Sequence, residues 1–122
     1  MAQRILIVDD EPNIAASLEF LLHRGGYEVR VAHDGEDALA QAEAFVPQLV
    51  LLDVMMPKLN GYEVCQRLRQ GGRDVKIVML TARGREVDVE KGKALGADLY
   101  VTKPFSTREL VAQVRELLGP AG

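Results

Sequence analysis

The sequence predicts a doubly wound α/β fold: five parallel strands in one sheet, ordered 2-1-3-4-5, between two layers of helices. Three observations carry this. Short apolar runs alternate five times with helical patterns, and no long linker, repeat or low-complexity tract interrupts them. Three runs, Ile5-Leu6-Ile7-Val8, Leu49-Val50-Leu51-Leu52 and residues 75–80, are nearly all apolar, as strands covered on both faces are. The other two differ: Glu28-Val29-Arg30-Val31-Ala32 alternates polar with apolar, and Leu99-Tyr100-Val101 is short, so both read as edge strands.

Each helix has legible ends. Pro12 suits a first helical turn, Ile14, Leu18, Leu21 and Leu22 make one apolar face, and Gly25-Gly26 stop it. The second helix opens at Asp34 with Asp37 in its first turn, buries Ala38, Leu39 and Ala42, and ends before Pro47. A third covers about 61–69, with Val64 and Leu68 inward and Gly71-Gly72 beyond. The fourth, about 86–95 and closed by Gly96, is the weakest, because Val87, Val89 and Gly92 all lower helix propensity. In a switching protein the least stable element is where motion is expected. The last is the best specified: Ser106-x-x-Glu109 has the capping-box pattern, Leu110, Val114, Leu117 and Leu118 form its face, and Gly119-Pro120 end it.

At 122 residues the chain holds one continuous core but not two, so residues 1–122 are expected to form a single domain. Its one cysteine, Cys65, has no internal partner and lies in a helical segment between Val64 and Leu68. A buried thiol in a reducing cytosol is the reading, since no motif places His23 or His33 as its base. A net charge of −3 with interspersed signs offers no basic stripe, which argues against direct nucleic-acid binding. The four-residue apolar run after Arg4 is too short for a signal core or a membrane span. The expected location is the cytoplasm, with no membrane partner.

Chemistry gathers where the strands end. Asp9-Asp10 follow the first run, Asp53 the third and Thr81 the fourth, and Lys103 stands just beyond the fifth. Parallel neighbours bring all of them to one sheet edge, where open α/β sheets bind their ligands. Three carboxylates in one pocket repel each other and call for a cation. Mg²⁺ suits such a site, because it takes one or two carboxylates, several waters and phosphate oxygens. Asp53 is then the candidate nucleophile for a phosphoryl group, with Thr81 and Lys103 placed to contact phosphoryl oxygens. Each residue alone has an ordinary reading as a helix cap, a β-former or a solvated lysine. Their joint occurrence at successive strand ends favours the site.

From residue 4 to residue 118 the chain resembles the receiver domains of two-component response regulators, which have the flavodoxin-like (βα)5 three-layer fold. The matching segments are Ile-Leu-Ile-Val-Asp9-Asp10-Glu11-Pro12, Leu-Leu-Asp53-Val-Met-Met56-Pro57 with Gly61 following, Leu80-Thr81-Ala82-Arg83, and Gly96-Ala97-Asp98-Leu-Tyr100-Val-Thr-Lys103-Pro104-Phe105. The resemblance implies that Asp53 is the phosphoacceptor, modified to 4-aspartylphosphate. It implies that Asp9, Asp10, Asp53 and the backbone carbonyl of Met55 hold Mg²⁺, Asp10 directly and Asp9 through water. Lys103 would contact the phosphoryl group, across a cis Lys103-Pro104 peptide. Small Ala82 would leave room for the donor, and Thr81 and Tyr100 would form the switch pair. Met55 and Arg83 stand at the family's variable positions that tune autodephosphorylation.

The implied function is a phosphorelay switch rather than an enzyme, assisting only its own phosphorylation and dephosphorylation. Its donor is a sensor histidine kinase or a phosphotransfer protein. Its output is a downstream effector protein or a C-terminal output domain, reached through the face of the fourth helix, fifth strand and fifth helix. DNA-binding regulators dimerise through that face with charged pairs, but here Val89 opposes Glu109 and Leu99 opposes Gln113. Two expected ion pairs are missing. That leaves a weak or phosphorylation-dependent homodimer, or an apolar docking patch at Val89 and Leu99.

Three alternatives fit less well. Haloacid-dehalogenase-like phosphohydrolases carry a second acid two residues after the nucleophile, where this chain has Met55. A flavin module needs a first loop that cradles phosphate, and Asp9-Asp10-Glu11 repels one. A receiver-like module that binds partners without phosphorylation is the remaining alternative, against which the intact site argues.

Overall fold

The computed structural model describes residues 2–56, 59–72, 74–82 and 86–119. Pro57, Arg83 and Pro120, each given a place in the sequence reading, lie outside the described residues, as does the tail after Gly119. The described elements are β1 (Arg4–Val8), α1 (Pro12–Arg24), β2 (Glu28–Ala32), α2 (Gly35–Phe45), β3 (Leu49–Asp53), α3 (Gly61–Gln70), β4 (Lys76–Thr81), α4 (Glu86–Ala94), β5 (Leu99–Thr102) and α5 (Thr107–Leu118). All strand pairs are parallel, in the order β2-β1-β3-β4-β5 that the run pattern predicted.

Side chains alternate across a strand, so each central strand feeds two cores. Leu6, Val8, Val50, Leu52, Ile77 and Met79 face α2 and α3, where Ala38, Ala42, Val64, Cys65 and Leu68 cover them. Ile5, Ile7, Leu49, Leu51, Val78 and Leu80 face the other way, onto Ala15, Leu18 and Leu22 of α1 and Leu110 and Val114 of α5. The result is three layers, and near-total burial of β1, β3 and most of β4 follows from it. Edge strand β2 keeps Glu28 and Arg30 in solvent.

Helix ends follow local chemistry. Side-chain oxygens of Asp34, Asn60 and Ser106 accept the N–H groups of Asp37, Glu63 and Glu109, capping α2, α3 and α5. Asn60, directly before Gly61, is an ordinary cap residue. Val46 ends α2 in the left-handed region at φ 51°, a conformation rare for a β-branched residue. Pro47 follows it and bars the helix from continuing, so the chain turns on the residue before.

The register sets the site. Asp53 pairs with Leu80, and Thr81 with Thr102. The ladders then run slightly past the strands: Asp9 N–H donates to Ala32, Val54 N–H to Leu80, and Lys103 N–H to Thr81 at 2.7 Å. Behind Asp53, α3 begins so close that a Cβ on Gly61 would stand 2.5 Å from the Asp53 carbonyl oxygen. Only glycine fits there.

Candidate functional site

Asp9, Asp53 and Thr81 are buried at the carboxyl edge of the sheet, whereas Asp10 is exposed at its rim. One carboxylate oxygen from each of Asp9, Asp10 and Asp53 lies within 4.8 Å of the others. Lys103, at the end of β5 and after Thr102, reaches across this group. Its Nζ donates to Glu11 Oε1 at 2.9 Å, to Asp53 Oδ2 at 3.3 Å and to Asp9 Oδ2 at 3.5 Å. The Lys103-Pro104 peptide is cis.

Backbone N–H groups orient the acids. Glu11 N–H donates to Asp9 Oδ1 at 2.8 Å, and Met55 N–H donates to Asp53 Oδ1 at 3.0 Å. The second oxygen of Asp53, Oδ2, is the one that faces Lys103. Met55 itself is half exposed, whereas Asp53 is buried. Glu11 had no assigned role in the sequence, yet it is the shortest partner of Lys103. The signal was present, because it follows Asp9-Asp10 on the loop that crosses the same sheet edge.

The electrostatics are unbalanced. Burial raises the Asp53 carboxyl from its ordinary 3.8 to about 6, and the charge of Asp9 adds to this against the pull of Met55 N–H and Lys103. Asp9 is also raised, again chiefly by burial. Burial lowers Lys103, but its bond to Glu11 and the charges of Asp53 and Asp9 outweigh that and leave it raised. Lys103 alone thus leaves the acids underneutralised. An oxygen-only, negatively charged set of this kind fits a hard divalent cation such as Mg²⁺.

Of the remaining expected residues, Thr81 closes β4 beside Asp53, and its carbonyl accepts the Lys103 N–H. Tyr100 lies within β5 in register with Met79, half-buried, with its hydroxyl 3.2 Å from that of Tyr62. Val89 and Leu99, expected as an exposed patch, are both half-buried, and Leu99 packs against the α1 and α5 core. Among the large apolar residues of α4, Val87 is the exposed one. Edge strands turn one face inward, which is why Leu99 is covered.

The strand order and the acidic sheet edge define a doubly wound α/β domain with its site in a strand-end crevice. Residues 5–115 match the model of the response regulator receiver domain, and the chain belongs to that family. Over 118 residues it is 52% identical to the alkaline phosphatase synthesis transcriptional regulatory protein PhoP of Bacillus subtilis (strain 168), covering 97% of this chain and 49% of that protein. The chain thus spans about half the length of that relative. The receiver domain of Francisella response regulator 1452 superposes with a TM-score of 0.90 at 30% identity, covering 94% of this chain and 95% of that one. The BeF3-activated receiver domain of DrrB, an OmpR/PhoB homologue from Thermotoga maritima, superposes at 0.89 and 36% identity, covering 97% and 98%. The chain is thus a receiver domain of a two-component response regulator. Among the described residues no helix is long and apolar enough to cross a membrane.

Proposed function

We propose that Asp53 accepts a phosphoryl group from a sensor histidine kinase or phosphotransfer protein, in a Mg²⁺-dependent step. The observation that carries this is the placement of Asp53 Oδ2, buried at the sheet edge and 3.3 Å from Lys103 Nζ. Its carboxylate oxygen forms the new O–P bond as the donor's N–P bond breaks. Met55 N–H holds the other oxygen, Oδ1, and so fixes the angle of attack. Lys103 is already within reach of Asp53 and exchanges carboxylate contacts for a phosphoryl oxygen. Asp9, Asp10, Asp53 and the Met55 carbonyl would hold Mg²⁺, which offsets charge on the transferring oxygens when bound.

Thr81, buried beside Asp53, is the hydroxyl that follows the phosphoryl group, and Tyr100 is the aromatic that responds. The altered α4, β5 and α5 face then acts on an effector protein or an output domain. The transcriptional role of the Bacillus relative supports an output of that kind. One receiver unit extending along residues 1–122, working in the cytoplasm, is the organisation that fits.

The test is intact mass after incubation with acetyl phosphate, with and without Mg²⁺, for the wild type and Asp53→Asn. A Mg²⁺-dependent gain of one phosphoryl group in the wild type alone is expected. No gain in the wild type overturns the proposal and leaves the phosphorylation-independent binding module.

A further inference from the structure

The hydroxyl of Tyr62, on α3, stands where α4 and β5 meet. It donates to the Asp88 carbonyl of α4 at 3.2 Å and lies 3.2 Å from the hydroxyl of Tyr100 on β5. A phenol has one hydrogen to give. With that of Tyr62 engaged by Asp88, Tyr100 is the donor and Tyr62 the acceptor between them. A directed chain results, from Tyr100 through Tyr62 to the α4 backbone, and each bond in such a chain polarises the next.

Two further contacts belong to the same place. Lys91 Nζ lies 4.5 Å from the centre of the Tyr62 ring, within cation–π range. A Cβ on Gly92 would stand 2.8 Å from Tyr100 Cδ2 and 3.0 Å from Met79 Sδ, so the missing side chain is what lets α4 close on the Tyr100 ring. Asp88, Lys91 and Gly92 are three and four residues apart and share one helix face. That face addresses Tyr62 and Tyr100. The glycine that weakens α4 as a helix is the one that seats the aromatic.

We infer that Tyr62 is a positioning residue of the switch, whose hydroxyl ties the ring of Tyr100 to the backbone of α4 so that ring and helix move as one unit. This rests on the reading of Tyr100 as the responding aromatic. With Val87, Val89 and Gly92 in its sequence, α4 has little helix propensity of its own, so its placement depends on what it docks against. Tyr62 supplies that dock and passes a change at Tyr100 to the output face.

Amide hydrogen exchange on the whole chain tests this. In the resting protein, Tyr62→Phe is expected to speed exchange across residues 86–94 about tenfold and Tyr100→Phe about fivefold. The double variant should exchange no faster than Tyr62→Phe alone, because both substitutions cut one chain. Exchange in β1 and β3 should not change, which separates this effect from general destabilisation. After acetyl phosphate and Mg²⁺, Tyr62→Phe should gain the same phosphoryl mass as wild type. The phosphorylation-induced change in exchange across 86–94 should be at least about threefold smaller. Unchanged α4 exchange in Tyr62→Phe, multiplied effects in the double variant, or an undiminished response to phosphorylation would each overturn the inference. Failure of wild type to gain phosphoryl mass removes the proposed function instead, and the resting cycle still decides the hydroxyl chain.

Discussion

At Asp53, folding places a carboxylate where it is costly to ionise. The cause is first its burial and then the charge of Asp9, and together they hold its pKa at about 6 instead of 3.8. A carboxyl raised in the folded state favours folding while it is protonated. That contribution is complete below about pH 4 and is lost as pH rises through about 6. Asp53→Asn cannot ionise, so without metal at pH 7 it should be more stable than wild type, by about 1–3 kcal/mol. Its loss of the Lys103 contact sets the lower end of that range. Thermal melts in a chelator from pH 4 to pH 7 check this: the gap should open with rising pH and close near pH 4. A less stable variant at pH 7 would mean that Lys103 more than offsets burial. The sequence made Asp53 legible because it ends a wholly apolar run. Glu11 was legible only as a third acid on the same sheet edge; that Asp9 and Glu11, with Asp53, are the acids bonded to Lys103 is set by the fold.

At the level of elements, runs and caps were readable because they depend on neighbours in sequence. The strand order, α1, α2 and α5 follow from apolar period, proline, glycine and cap residues within a few positions. What joins α3 to the β4 and β5 region depends on distant residues and left no local trace. Arg69, in the last turn of α3, donates from Nε and Nη2 to the Gly96 carbonyl at 3.1 and 2.7 Å, and from Nη1 to Val75 at 2.6 Å. Its Nη2 also meets Asp98 Oδ2 at 2.9 Å, and that oxygen accepts the Ile77 N–H at 2.8 Å. One guanidinium thus fastens the start of β4 to the turn between α4 and β5. Its planar fork suits these divergent acceptors better than an ammonium does. Arg69→Ala should lower stability by about 2–4 kcal/mol, and Arg69→Lys should recover less than half of it. Urea unfolding checks both, and a loss under about 0.5 kcal/mol would show that water satisfies these carbonyls equally well.

Across the whole molecule, the acidic site lies at the carboxyl edge of the sheet, and under the proposed function the α4, β5 and α5 side presents its consequence. Relatives of the DNA-binding class, as the resemblance has it, associate through that side with charged pairs between protomers. In this chain Val89 on α4 stands where a charge would face Glu109, which is exposed in the first turn of α5. A two-fold interface repeats every contact, so one restored pair counts twice. Exposed ion pairs contribute about 0.2–1 kcal/mol each. Val89→Lys should therefore tighten dimerisation of the phosphorylated domain about two- to thirtyfold. Val89 is half-buried, and a lysine can lay its stem along the same apolar surface while its ammonium reaches outward. The gain should shrink in concentrated salt, where the screening length falls to about 3 Å at 1 M. Adding Glu109→Gln should abolish it. Sedimentation of the phosphorylated wild type, Val89→Lys and the double variant at two salt concentrations reads all of this. Equal dimer affinities for wild type and Val89→Lys at low salt would show that this chain does not pair through α4 and α5, and that its phosphorylated face is built for a different protein.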